Sequence, residues 1–185
     1  MKKSLIALSA TALMLSACAG GGFNKISRID HTGYYTPEQV RALTSGGMPT
    51  VFYGPEDVRS EPERYANGVH TPGWMSGAGL NIINPEKDGQ PGQRLVLVFY
   101  SGVSAAGNRV CESADKVSSR GTGQGLTVLA VLCSDDLAYA RATLTNSSIT
   151  GPDDPGYSSA VNQLLVELMP SRAPNQGDSE PRPRG

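Results

Sequence analysis

Histidine, tryptophan and cysteine are scarce in this chain: two, one and three residues among 185. Each shortage excludes something. His31 and His70 are isolated from one another and from Cys111 and Cys133, so no four-ligand zinc set is spelled out; no metal and no cofactor are expected. Lysine and arginine are scattered rather than gathered into a basic stripe, which argues against electrostatically driven nucleic-acid binding. Past residue 17 no apolar run approaches the roughly 20 residues that a spanning helix needs. No internal repeat occurs, so a solenoid or propeller is not expected.

What is present begins at the first residues. Lys2 and Lys3 precede an apolar run from Leu5 to Leu15, interrupted by Ser9 and Thr11, and small residues Ser16 and Ala17 follow. This is the layout of a secretory signal. Leu15-Ser16-Ala17-Cys18 resembles the lipobox of bacterial lipoproteins. The resemblance implies that residues 1–17 are removed and that Cys18 becomes an acylated N-terminus carrying a thioether-linked diacylglycerol. One acyl chain binds a membrane marginally, whereas two or more anchor stably, at about 0.8 kcal/mol per buried methylene. Ala19, rather than an aspartate, follows the cysteine, which resembles the sorting choice for the outer membrane. The expectation is an outer-membrane lipoprotein facing the periplasm, tethered through a flexible segment, residues 18–24.

With Cys18 acylated, Cys111 and Cys133 remain as an even pair in an oxidising compartment, where a disulfide is expected. Closing a loop of that size stabilises by about 3 kcal/mol in the chain-entropy model. A reactive thiol and metal ligation are the rival readings, and zinc would need two further ligands. Lys2 and Lys3 depart with the signal, leaving a chain in which the 17 acidic residues outnumber the basic ones.

Patterning then gives the elements. Residues 25–35 alternate partly and read as an edge strand. Thr36-Pro37-Glu38-Gln39 reads as a helix start, with Thr36 capping, Pro37 in the first position and Gln39 closing the capping box. Residues 49–54 read as a strand. Ser60-Glu61-Pro62-Glu63 repeats the capping logic, with Tyr65 and Val69 one turn apart on a common face. Residues 80–84 form a short strand. The continuous apolar runs at 94–100 and 126–133 suit strands buried on both faces. Between them, Val110, Ala114 and Val117 have helical spacing.

Residues 137–145 lack an uninterrupted apolar run and read as a peripheral strand. Tyr157, Val161, Leu164, Leu165 and Leu168 form one helical stripe, with Asp154 as N-cap, Pro155 in the first position and Pro170 as the stop. Residues 171–185 are polar and Pro-rich, cannot bury enough surface to offset their ordering entropy, and read as a disordered tail. The irregular interleaving predicts a single α+β domain over residues 25–170, a mostly antiparallel sheet with helices packed on one face. The second face of the two central strands then needs a cover from loops or from the N-terminal helix.

Candidate sites are few. Gly102-Val103-Ser104-Ala105-Ala106 approximates a G-x-S-x-G nucleophile elbow after a strand, but Ala106 replaces the last glycine and no histidine follows Ser104. Gly121-Thr122-Gly123-Gln124-Gly125 precedes a strand, where a phosphate-cradling loop would follow one, and reads as a connector. Asp135-Asp136 and Asp153-Asp154 sit at turn and cap positions that favour aspartate for local hydrogen bonding. Trp74, in Thr71-Pro72-Gly73-Trp74, is the candidate binding residue, although a cover over a small core suits it better. No catalytic residue is assigned.

Residues 49–55 with the helix after them, 94–100, the spacing of Cys111 and Cys133, and residues 151–170 together resemble a group of small lipoproteins of Gram-negative, chiefly alphaproteobacterial, genomes to which no activity is attached. The likeness covers most of residues 34–170 and implies a periplasm-facing α+β module. The expected role is a non-catalytic binding or structural module for another envelope protein or a cell-wall component. The alternative is an envelope hydrolase using Ser104 or an aspartate pair.

Overall fold

The computed structural model describes residues 23–174 apart from 33, 43, 45, 77, 90–91, 100–106 and 115–124. The expected signal, most of the tether, and the tail from residue 175 onward lie outside the described residues. The elements are β1 (Lys25–His31), α1 (Pro37–Ala42), β2 (Met48–Tyr53), α2 (Glu56–Ser60), α3 (Pro62–Ala66), a 3₁₀ turn over Gly73–Met75, β3 (Leu80–Ile82), α4 (Pro85–Asp88), β4 (Gln93–Phe99), α5 (Gly107–Ser113), β5 (Leu126–Ser134), β6 (Leu137–Asn146) and α6 (Tyr157–Leu168). One six-stranded sheet has the order β1-β6-β5-β4-β2-β3. The protein is an α+β fold.

The sheet is mixed rather than mostly antiparallel. β2 pairs in parallel with both β3 and β4, whereas β4, β5, β6 and β1 pair antiparallel in succession. The connections explain the split. β5 and β6 are joined by a two-residue turn, Asp135-Asp136, which returns the chain antiparallel. The chain between β2 and β3 carries α2, α3 and the 3₁₀ turn, a crossover long enough to bring the next strand back parallel.

β6 corrects a second expectation, because it lies between β1 and β5 rather than at the periphery. Its buried face is built from Ala140, Ala142 and Leu144 at period two, small residues that produce no apolar run. The expected edge strand is β1, whose register with β6 shifts between Ser27 and Asp30.

The two apolar runs are β4 and β5, and each divides its side chains between two cores. Leu95, Leu97 and Phe99 of β4, with Leu126, Val128, Ala130 and Leu132 of β5, face the main core beneath α6. Val96 and Val98, with Leu129, Val131 and Cys133, face a second core closed by Val110, Cys111 and Ala114 of the α5 segment. Helices therefore cover both faces, not one. The second cover comes from the connection between the two strands; the N-terminal helix α1 packs Val40 into the main core instead. Val117 lies outside the described residues.

A helix as short as α5 is marginal by itself, and among the described residues three side-chain links hold it down. Asn108 accepts the Ala138 backbone N–H (3.0 Å), buried Arg94 donates to the Cys111 carbonyl (2.6 Å), and Cys111 is bonded to Cys133 of β5 with Cα atoms 5.6 Å apart. The expected disulfide is thus present. Gly125 makes the entry to β5 possible: at φ 98° a side-chain carbon there would collide with the Asn146 carbonyl and Ser147.

Reducing the Cys111–Cys133 bond, which spans 22 residues, is expected to lower stability by about 3 kcal/mol. Urea denaturation with and without reductant measures this, and coincident midpoints would contradict it.

Candidate functional site

The stripe on α6 is as the spacing predicts: Tyr157, Val161, Leu164, Leu165 and Leu168 are all buried. Its start differs. The helix opens at Tyr157 after Gly156, and Asp154 accepts the Gly156 N–H (3.0 Å) in the turn ahead of it instead of capping the helix. Neither predicted capping box forms. Thr36 Oγ1 makes no hydrogen bond, although Pro37 does open α1, and Ser60 Oγ donates to the Glu56 carbonyl (2.8 Å).

At the other end of α6 the last carbonyls have no intrahelical partner. Three ring side chains from three parts of the chain reach three consecutive carbonyls where the helix ends, at residues 168, 169 and 170. His31 Nε2 donates to Leu168 O (3.0 Å), Trp74 Nε1 to Met169 O (2.9 Å) and Tyr35 Oη to Pro170 O (2.8 Å). His31 and Tyr35 also meet edge to face at 5.0 Å. Trp74, the candidate binding residue, is half-buried against the main core with its polar atom committed inward, and Arg41 donates to its carbonyl (2.8 Å). Its geometry is that of a clamp on the helix terminus.

Burial, with Tyr139 and Glu38 nearby, pushes the Tyr35 phenol well above its ordinary value, and burial pushes Tyr139 up to about 12. Both stay neutral in the folded state. Their contribution is complete below the unfolded phenol value near 10 and is lost as pH rises through the folded values.

The remaining candidates separate. His70 is exposed, and its backbone N–H donates to Asn162 Oδ1 (2.8 Å). Asp135 sits in the β5–β6 turn with φ 51°. Asp153 forms an exposed ion pair with Arg64, whose hydrogen bond holds the carboxyl below its usual range. The aspartate pairs thus occupy turns, as their local chemistry suggests. Ser104 and residues 121–124 lie outside the described residues. Among the described residues no group of three His, Cys, Asp or Glu side chains could hold a metal ion, and no helix is long and apolar enough to cross a membrane.

One concavity has no counterpart in the sequence reading. A cleft of about 530 Å³ opens beyond the carboxyl ends of β2 and β3, with Phe52, Tyr53, Ile82 and Ile83 among its walls and Glu56, Arg59, Ser60 and Asn84 around its rim. Glu56 and Arg59 pair across one turn of α2 (2.9 Å), so the rim offers donors and acceptors without a net field. Gly54 brings α2 this close: a side-chain carbon there would lie 3.1–3.2 Å from Val58 and Phe99. Carboxyl ends of parallel strands are where open α/β sheets bind ligands. Recognising the helical crossover after residue 54 as a parallel connection would have pointed to this place.

No protein-family model matches the chain, and no curated protein matches it. Among solved structures, it is similar to a PelC dodecamer from Paraburkholderia phytofirmans, 12% identical over 82% of this chain and 100% of that one, with a TM-score of 0.40. A variant of the same dodecamer is 13% identical over the same shares, with a TM-score of 0.39. At these TM-scores the likeness bears on neither function nor partners.

Trp74→Phe removes the donor to Met169 O and is expected to cost about 1–3 kcal/mol in equilibrium denaturation. A change below about 0.5 kcal/mol, the range of ordinary surface substitutions, would contradict the clamp.

Proposed function

We propose that this protein is a lipid-anchored, periplasm-facing module of the outer membrane that binds without catalysis, and that its ligand site is the cleft beyond β2 and β3. The observation that carries the compartment is the Cys111–Cys133 bond, a fully buried disulfide of the kind that persists in oxidising surroundings. It supports the lipobox reading of Leu15-Ser16-Ala17-Cys18 independently of those residues.

The cleft supports the binding reading. An apolar floor beside a rim of amide, hydroxyl and mutually paired charged groups suits a ligand with both apolar surface and hydrogen-bonding groups but little net charge. Among the classes expected from the sequence, a cell-wall component has that character. Trp74, turned inward as a clamp, is not part of the site.

The test has two parts. The mature envelope protein is expected to carry a diacylglycerol thioether on Cys18, and Cys18→Ser to move it from the detergent phase to the aqueous phase on partition. Amide chemical shifts of that soluble variant, titrated with solubilised cell-wall fragments, are expected to move around Arg59 and Asn84. Unchanged partition would contradict the anchor, and shifts confined to residues outside the cleft would contradict the site.

A further inference from the structure

Among the described residues the sheet ends at β1 on one side and at β3 on the other, and the two sides differ in character. Of the five large apolar side chains exposed to solvent among these residues, four lie at or next to the first, Leu137 at the β5–β6 turn being the exception. Phe23 is 94% exposed just ahead of β1, Ile29 is 45% exposed on it, and Val166 is 52% exposed on α6 beside it. Tyr34, just past β1, is also exposed. Arg28, with a left-handed φ of 54°, lies where the register with β6 shifts, and the next residue, Ile29, stands outward.

The chain enters the domain at this edge without slack. Asn24, placed by its sequence in the tether, is already held: its Nδ2 donates to Gln163 Oε1 of α6 (2.8 Å), and its Oδ1 accepts from Asn146 Nδ2 at the end of β6 (2.7 Å). Gln163 and Val166 are three residues apart on one exposed face of α6. From Cys18 to Phe23 the chain spans five residues, at most about 18 Å when fully extended. An acyl group on Cys18 therefore holds Phe23, and the edge behind it, within that distance of the lipid.

We propose that the β1 edge and the adjoining exposed face of α6 form the side of the domain that lies on the lipid surface. This rests on the lipid anchor proposed for Cys18. Phe23, Ile29 and Val166 enter the interfacial zone, and Lys25, exposed at the start of β1, faces the headgroups. An edge strand suits that zone rather than the hydrocarbon, because headgroups and water can hydrogen-bond to its backbone and hydrocarbon cannot. The cleft lies at the far edge, beside β3, and stays open to the periplasm.

The experiment uses the acylated full-length protein in vesicles of phosphatidylethanolamine and phosphatidylglycerol containing a brominated phosphatidylcholine as quencher. The native protein sets the Trp74 baseline, and Phe23→Trp, Val166→Trp and Asn81→Trp each add one fluorophore. Asn81 is on β3, five strand spacings from β1, about 24 Å along the sheet. Added fluorescence is expected to fall at least about twofold at positions 23 and 166 and to hold at 81. Val166→Trp decides the orientation, since the tether alone keeps position 23 near lipid. Slower amide exchange across β1 and α6 in vesicles, relative to soluble Cys18→Ser, reads the same contact without relying on the tryptophan variants.

If Cys18 is acylated and position 166 is unquenched, or position 81 is quenched equally, the docking face is overturned while the anchor stands. If soluble Cys18→Ser protects β1 equally and has the mass of a dimer, a second copy covers the edge and the proposal fails. If Cys18 carries no lipid, the anchor reading falls and the docking face with it.

Discussion

The structure depends on β4 and β5 being apolar on both faces. A strand that alternates apolar and polar residues needs one cover; these two need two, because Leu95, Leu97 and Phe99 point one way and Val96 and Val98 the other. The main face receives α6, whose twelve residues bring a full apolar stripe. Among the described residues the second face receives α5, seven residues that bring Val110 and Cys111, with Ala114 just beyond. So slight a cover has little hydrophobic area with which to hold itself in place. The bond from Cys111 to Cys133, the reach of Arg94 to the helix carbonyl and the contact of Asn108 with β6 supply what area does not. Burying Arg94 at 3% exposure is tolerable because its guanidinium has a carbonyl partner where it lies.

A similar economy acts at the end of α6. His31, Trp74 and Tyr35 come from β1, the 3₁₀ turn and the loop before α1, and each donates to a different carbonyl of residues 168–170. The scarce ring residues that looked like chemistry are thereby bound into the fold. The clamp and the cleft draw on different parts of the chain: the clamp joins β1, the 3₁₀ turn and the loop before α1 to the end of α6, whereas the cleft is walled by β2, α2, the end of β3 and the segment after it. None of the three clamping side chains lines the candidate binding site.

Much of this was legible in the residues, and the misses have physical causes. The two buried runs, the α6 stripe and the β1 edge follow from burial pattern, which local sequence encodes, and the cysteine pairing was expected from the even pair left once Cys18 is read as the lipobox cysteine. The parallel pairing of β2 did not, since pairing direction is decided by how a connection crosses the sheet rather than by the strand itself. β6 was misplaced because alanines at 140 and 142 pack tightly without raising the apolar run that marks an interior strand. The clamp on α6 joins residues more than 90 positions apart in sequence, and no local window contains it. The cleft was invisible for the same reason: its walls come from β2, α2 and the segment after β3, assembled only by the crossover.

The central claim is that α5 closes the second face because a covalent bond keeps it there. Native-state amide hydrogen exchange on the oxidised and the reduced protein tests this most directly. The account predicts that reduction speeds exchange across α5 by at least about tenfold, equivalent to about 1.4 kcal/mol, and by more than it speeds exchange across α6. Equal protection of α5 in both redox states, or loss of protection shared uniformly by α5 and α6, would contradict it.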